Sequence, residues 1–330
     1  MLLQVRTLLS LILIVSTFSL LGCGQNKVKK SESVLLSQSI ANDKKTPSVL
    51  YRSIDSGIIW KSFSNGIPYD ATVSGIEQFD DKIYITTDFH GVFVSQGGEN
   101  NWNPINNGLP KNIDVNCISV SDGKIAIGSL RQGVYISNDG SNWKVASNNI
   151  SNTAVRAFFK TDEKLIAGTD DGFYISDDFG NSWLHLFGDM QILGFTSLDN
   201  KLFAAAHNGA LISYDMGITW DYIYESDALH DISNDGQYVY AMTIGQQLLR
   251  TKDDGVTWEN AQSNIDYPVN FYTNELRADG TNIYSAQWIG VYHSVNGGNN
   301  WRLIPDLPDS TAFSTLEITD YGILAGISIR

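Results

Sequence analysis

One eight-residue pattern recurs along nearly the whole chain: Ser or Thr, one residue, Asp, one residue, Gly, two residues, Trp. Full copies are Ser53–Asp55–Gly57–Trp60, Ser176–Asp178–Gly180–Trp183, Ser213–Asp215–Gly217–Trp220 and Thr251–Asp253–Gly255–Trp258. Three copies are degenerate. Gly97 and Glu99 replace Asp and Gly between Ser95 and Trp102, Ser137–Asp139–Trp143 is one residue short, and Ser294–Asn296–Gly298–Trp301 carries Asn for Asp. The seven Trp residues follow one another at intervals of 37 to 43 residues. A period near forty with several short strands per unit signals propeller blades, and predicts an all-β chain of seven four-stranded antiparallel blades.

The pattern has the chemistry of a tight turn. The Asp accepts hydrogen bonds from backbone N–H groups, the Gly takes a backbone conformation closed to other residues, and the Trp buries its ring beside the next blade. Placed identically on every blade, it serves the architecture before any ligand. Around it the strands keep register. Second strands read KIYITT (82–87), KIAIGS (124–129), KLIAGT (164–169), KLFAAA (201–206), YVYAMT (238–243), NIYSAQ (282–287) and GILAGI (322–327). Third strands such as GVFVS (91–95) and GFYIS (172–176) run straight into the turn. Such β-branched and small residues suit strands buried between neighbouring blades.

The two ends of the array complete each other. Residues 313–328 supply first and second strands with no turn motif after them, and residues 49–63 supply a third strand, a motif and a fourth strand with nothing before. Joined, they make one blade, which closes the ring and removes its open edges.

Ahead of the array, residues 1–22 read as an export leader, with Arg6 before the apolar run Leu8 to Leu21, too short for a membrane span. The leader ends Leu20–Leu21–Gly22–Cys23, which resembles a bacterial lipobox. That resemblance makes Cys23 the lipid-bearing first residue of the mature chain. With Gly24 rather than Asp after it, it implies the outer membrane in two-membraned bacteria. Residues 23–48 are polar and Lys-dotted and read as a flexible tether, leaving 49–330 for the propeller.

Lys and Arg number 22 against 36 Asp and Glu, for a formal net charge of −14. The tether holds five of the lysines, so the propeller is more acidic than the whole. Phosphate would be repelled, which excludes a nucleic-acid partner. Of the two cysteines, Cys117 lies in a predicted first strand and reads as a lone thiol. No cofactor motif or metal-ligand spacing is present, and the propeller is expected to be a monomer.

The face opposite the turn motifs collects the second-to-third turns and the crossovers between blades, and is the expected binding face. It is predicted to carry Asp88, His90, Arg131, Asp170, Asp171, His207 and Trp288. First-strand starts add Glu77, Asn116, Arg156, His230, Asp231 and Tyr272. Trp288 is the only Trp outside a turn motif. It can stack on a sugar, anchor a protein partner or fold over a neighbouring blade. Arg131 and Arg156 can hold a carboxylate bidentately or pair locally. Asp170 and Asp171 with Asp88 offer carboxylates for acid–base work or for ordinary turns.

The repeat resembles the Asp-box of bacterial-neuraminidase-type propellers, a group that includes sialidases, xyloglucan hydrolases, sortilin-type receptors and photosystem assembly factors. NGIP (65–68) after Trp60 and NGLP (107–110) after Trp102 strengthen the likeness to the hydrolases and assembly factors. Seven motifs and no Phe/Tyr-Arg-Ile-Pro sequence separate the chain from the six-bladed sialidases, and one propeller separates it from the two-propeller xyloglucan enzymes. The resemblance implies the architecture of the single-propeller assembly factors, which bind proteins. The expectation is an envelope scaffold recognising a protein or glycan, with a glycosidase-like hydrolase or lyase as the alternative.

Overall fold

The computed structural model describes residues 48–146, 150, 153–245, 247–262, 273–308 and 311–329. The predicted leader, Cys23, nearly all of the tether and Tyr272 lie outside the described residues. Among the described residues the regular elements are strands, and they form seven four-stranded antiparallel sheets. Their innermost strands are Val73–Phe79, Val115–Ser121, Val155–Lys160, Ile192–Leu198, Leu229–Asn234, Thr273–Asp279 and Phe313–Thr319. Each touches the next and the last touches the first, which closes a β-propeller around a channel.

The seventh blade joins both chain ends, as expected. Leu50–Ser53 pairs on one side with Gly322–Ile327 and on the other with Lys61–Ser62. Ile323 to Ile327 and Leu50 are buried there, so closure is held by core packing as well as by the ladder.

The repeated turn works as its chemistry demands. In the fourth blade the Ser213 hydroxyl donates to Asp215 Oδ1 at 2.8 Å. The Gly217 N–H donates to Ser213 Oγ at 2.7 Å, and the Thr219 N–H to Asp215 Oδ1 at 2.8 Å. Asn296 keeps this geometry in the sixth blade, accepting the Asn300 N–H at 2.8 Å, because an amide oxygen accepts as a carboxylate does. These bonds hold Asp139 well below the ordinary carboxylate range, chiefly through Asn142, and bring Asp253 down to about 2, chiefly through Thr257.

The indoles pack on the preceding blade, not the following one. Trp102 sits among Leu50, Phe63 and Ile67 of the seventh blade, and Trp143 among Tyr84, Val92 and Ile113. The chain runs so that each outer turn overlaps the blade already laid down. The NGIP and NGLP segments belong to the same joint. Asn65 O accepts the Trp102 N–H and Asn107 O accepts the Trp143 N–H, both at 2.9 Å. Gly66 has φ +97°, and a Cβ there would lie 2.3 Å from the Trp102 carbonyl oxygen.

Every innermost strand carries a register shift after its first residue. In four blades the shifted residue clasps the next blade. Ser74 donates to Val115 O, Asn116 to Arg156 O, Asn274 to Phe313 O and Ser314 to Val73 O, at 2.5 to 2.7 Å. The equivalent positions in the third, fourth and fifth blades are Arg156, Leu193 and His230.

Candidate functional site

Strand direction places the repeated turns and the first-to-second hairpins on one face of the ring, and the second-to-third turns and crossovers on the other. On that second face, three blades tie the crossover or innermost strand to the second-to-third turn with a polar side-chain pair. His90 Nε2 lies 3.1 Å from Asp70 Oδ1. Arg131 Nε donates to Asp114 Oδ2 at 2.5 Å, and the Ser129 hydroxyl holds the other oxygen. Arg156 meets Asp170 through two parallel bonds of 2.7 and 2.9 Å, with the charge order reversed.

These pairs take up four of the expected candidates, His90, Arg131, Arg156 and Asp170. The carboxylates that Arg131 and Arg156 engage belong to their own chain, although the Arg131 side chain stays 70 % exposed over a buried Asp114. Asp88 is buried, its backbone in an isolated β-bridge with that of Asp114, while Asp170 and Asp171 sit two blades on. Asp171 accepts the Tyr174 hydroxyl at 3.1 Å. His207 is exposed on a turn of the fourth blade. The candidates thus form separate local pairs rather than one constellation. Among the described residues, no group of three or more His, Cys, Asp or Glu is arranged to hold a metal ion.

Trp288 stands apart from these pairs. It is 54 % exposed and lines a cavity of about 530 Å³ beside the seventh blade, where the chain enters at Ser48. Tyr69, 67 % exposed, and Ile329 line the same cavity, with Tyr51, Thr311 and Ser328. Tyr69 was not a sequence candidate. It directly follows NGIP, where Lys111 follows NGLP in the next crossover, and an aromatic in place of that lysine is its signal.

A second cluster lies inside the channel, toward the face of the repeated turns. Glu77 is not at a strand start but fifth in its seven-residue strand. Its Oε1 accepts the Val120 N–H of the next blade at 2.9 Å. Burial, helped by Glu317, raises it to about 8. Burial likewise raises Asp231 to about 7, with Glu275 adding to the shift. Arg277 bonds both Glu275 and Glu317, the latter at 2.8 Å. Burial works against the charge of Arg277, but these two carboxylates outweigh it and raise its pKa. Glu77, Arg277 and Glu317 line a cavity of about 670 Å³ with Lys160, Asp279 and Asp320. Glu275, Arg277 and Glu317 escaped the sequence reading. Their signal is charge in the middle of otherwise half-buried strands.

Burial lowers His230 to about 4, so it is neutral at ordinary pH. Burial also raises the Cys117 thiol, which keeps it protonated and unreactive.

No family model matches the sequence, and no curated protein matches it. Solved structures do match in shape. YCF48 from Cyanidioschyzon merolae aligns with a TM-score of 0.61 at 14 % identity, over 78 % of this chain and 95 % of its own. YCF48 bound to D1 peptide aligns at 0.62 and 15 %, over 78 % of this chain and 94 % of its own. The GH74 xyloglucanase from Xanthomonas campestris gives 0.63 at 13 %, over 84 % of this chain and 54 % of its own. The extracellular domain of the one-component system BT4673 from B. thetaiotaomicron gives 0.61 at 15 %, over 78 % of this chain and 39 % of its own. At such identities the likeness is one of fold: the chain is a seven-bladed β-propeller similar in architecture to YCF48, to a GH74 xyloglucanase and to the extracellular domain of a one-component system.

Proposed function

We propose that this chain is a lipid-anchored, non-enzymatic binding scaffold of the bacterial cell envelope. Residues 1–22 are its export leader, Cys23 carries the lipid, the tether runs to residue 48, and the propeller from 49 to 330 recognises a protein or glycan through the face opposite the repeated turns. The observation that carries the reading is the groove of Trp288 and Tyr69. On a face whose candidate arginines are engaged by the chain's own carboxylates, it joins exposed aromatic surface to a cavity. Exposed aromatics beside a pocket are the usual anchors of recognition. The peptide-bound YCF48 structure supports a protein partner for a propeller of this architecture.

The test is capture by the full chain from detergent-solubilised envelope of the producing bacterium, wild type against Trp288→Ala. A stoichiometric partner lost in the variant is expected. Equal capture by both sinks the assignment of the face. Cys23→Ala should move the protein from the membrane to the soluble fraction, and an unchanged distribution sinks the anchor.

A hydrolase is the second reading, and one observation favours it. Glu77, protonated near neutrality, shares the channel cavity with Glu317, and a raised carboxyl beside a second one is the pattern of a general acid. Turnover of chromogenic glycosides that disappears in Glu77→Gln would establish it.

A further inference from the structure

We infer that the channel cavity on the side of the repeated turns is a site for a small aliphatic amine, bound as its alkylammonium ion between Glu77 and Phe159. The cavity opens at the other mouth of the ring from the face assigned to the partner, and its ligand does not depend on that reading.

Two halves of different chemistry enclose the cavity of about 670 Å³. The sixth, seventh and first blades supply Arg277, Asp279, Glu317, Asp320 and Glu77, and the second and third supply Ile118, Phe158 and Phe159 with Lys160. Asp279 and Asp320 stand at the first-to-second hairpins, so the rim that a ligand passes is acidic.

Carboxyl groups outnumber the cations that could match them. Glu275 and Glu317 share one guanidinium, that of Arg277. Glu77 has no part in that network. Its Oε1 accepts the Val120 N–H at 2.9 Å, and among the described residues its other oxygen makes no hydrogen bond, although it lies deep in the channel wall and lines the cavity. Asp231 stands third in its strand where Glu77 stands fifth, and its Oδ2 is enclosed and likewise without a hydrogen-bond partner among the described residues. Burial and Glu317 together outweigh the pull of Lys160, so the empty cavity keeps the proton on Glu77 near neutrality. The carboxyl stays neutral for want of a cation.

An ammonium group answers that want. It carries three donors, enough for the free oxygen of Glu77 and a neighbouring carboxylate, and the Phe159 ring offers a π face to the charge and an apolar wall to the methylene chain behind it. An anion meets repulsion from the acidic rim. A divalent metal needs several oxygens converging on one point, and among the described residues no group of three or more His, Cys, Asp or Glu is so arranged.

The experiment uses the full chain in dodecyl maltoside, at physiological salt and in buffers without a primary amine. Cadaverine and spermidine are titrated in by calorimetry. Pentane-1,5-diol and glutarate serve as uncharged and anionic chains of the same length, and calcium chloride as the metal. One saturable site for an amine is expected, with neither diol nor glutarate bound. A cation beside Glu77 expels its proton, so amine binding at pH 7 should release protons, read as a heat that changes with the ionisation enthalpy of the buffer. Affinity should rise about tenfold or more from pH 6 to pH 8, because the amine stays charged while Glu77 ionises. Glu77→Gln keeps the acceptor for the Val120 N–H, and should weaken the amine about tenfold or more and remove most of the proton release.

No amine site, an affinity flat from pH 6 to 8, equal binding by wild type and Glu77→Gln, or calcium displacing the amine overturns the inference. The pH dependence is read on the wild type alone, so it holds as a test even if Glu77→Gln fails to fold. Glycoside turnover without amine binding gives the cavity to the hydrolase reading instead, and the inference falls. Envelope capture, kept or lost in Trp288→Ala, reads the other face and tests the scaffold separately.

Discussion

The indole Nε1 of Trp102 donates to the carbonyl oxygen of Phe63 at 2.7 Å, and the two rings meet edge to face at 5.7 Å across the joint between the seventh blade and the first. Trp143 makes the same reach to Ile105, Trp258 to Ile223, and Trp301 to Ala261. In the full copies at Trp60 and Trp220 the indole instead bonds the Gly of its own turn, at 3.1 Å. A turn that has lost its Asp and Gly, such as the one ending in Trp102, thus still ties its blade to the neighbour.

Trp102→Phe keeps most of the ring and removes the donor, leaving the Phe63 carbonyl buried. A loss of about 1–3 kcal/mol is expected in urea unfolding. Trp102→Ala also opens a cavity and should cost about 3–5 kcal/mol. A Phe variant as stable as wild type would show that packing alone holds this joint.

Gly66→Ala should destabilise the chain by about 1–3 kcal/mol. The residue needs a positive φ, and the added methyl would press on the Trp102 carbonyl. The same change at Gly236, whose φ is also positive but where a Cβ meets nothing within 4 Å, isolates the backbone part of the cost. Equal melting shifts in the two variants would mean that the contact with Trp102 costs nothing.

Stability should fall as pH rises from about 6.5 to about 8. Between about 5 and 6.5 His230 and His293, lowered to about 4 chiefly by burial, offset the decline, because the unfolded chain protonates them and the folded chain does not. Glu77 moves from 4.5 to about 8 on folding and Asp231 from 3.8 to about 7, so across that window the folded chain keeps protons that the unfolded chain has released. Glu317 raises Glu77 further and Lys160 partly offsets it, while Glu275 and Arg277 act on Asp231 in the same two senses. Glu77→Gln retains an acceptor for the Val120 N–H and should flatten the decline, on the order of 1–3 kcal/mol, in urea midpoints measured at pH 5, 6, 7 and 8. The turn carboxylates Asp55, Asp139 and Asp253 act in the opposite sense, losing their contribution only as pH drops below 3.8. A wild-type profile flat from pH 6.5 to 8, or one that Glu77→Gln leaves unchanged there, would rule out a buried, protonated Glu77.

Deleting residues 311–330 removes the two inner strands of the seventh blade and uncovers Leu50–Ser53. Because the ring closes only through that blade, the whole propeller should unfold or aggregate. A truncated monomer with a sharp melt, followed by circular dichroism and size exclusion, would mean that six blades stand without closure.

The repeat made the backbone legible. Trp spacing located every blade, the second strand read at 82–87 is Lys82–Thr87, and the matching chain ends announced the closing blade. Side chains that leave the repeat were harder to place. Asp114 reaches Arg131 and Asp70 reaches His90 between separate loops, and no local pattern encodes such pairs. Arg277 to Glu317 spans one whole blade period, so its partner appears only when innermost strands are aligned with each other. Tyr69 follows NGIP as Lys111 follows NGLP, a position where the repeat sets the backbone and leaves the side chain free.

The splice of both termini into one blade also has a mechanical consequence. Tension transmitted through Ser48 enters at Leu50–Ser53, a strand flanked by partners on both sides, with Ile327 N–H bonded to Val49 O and Phe63 N–H bonded to Leu50 O. Pulling there shears two ladders at once rather than peeling a free rim strand, so the point where the chain would be tugged is among the places where the ring resists rupture best.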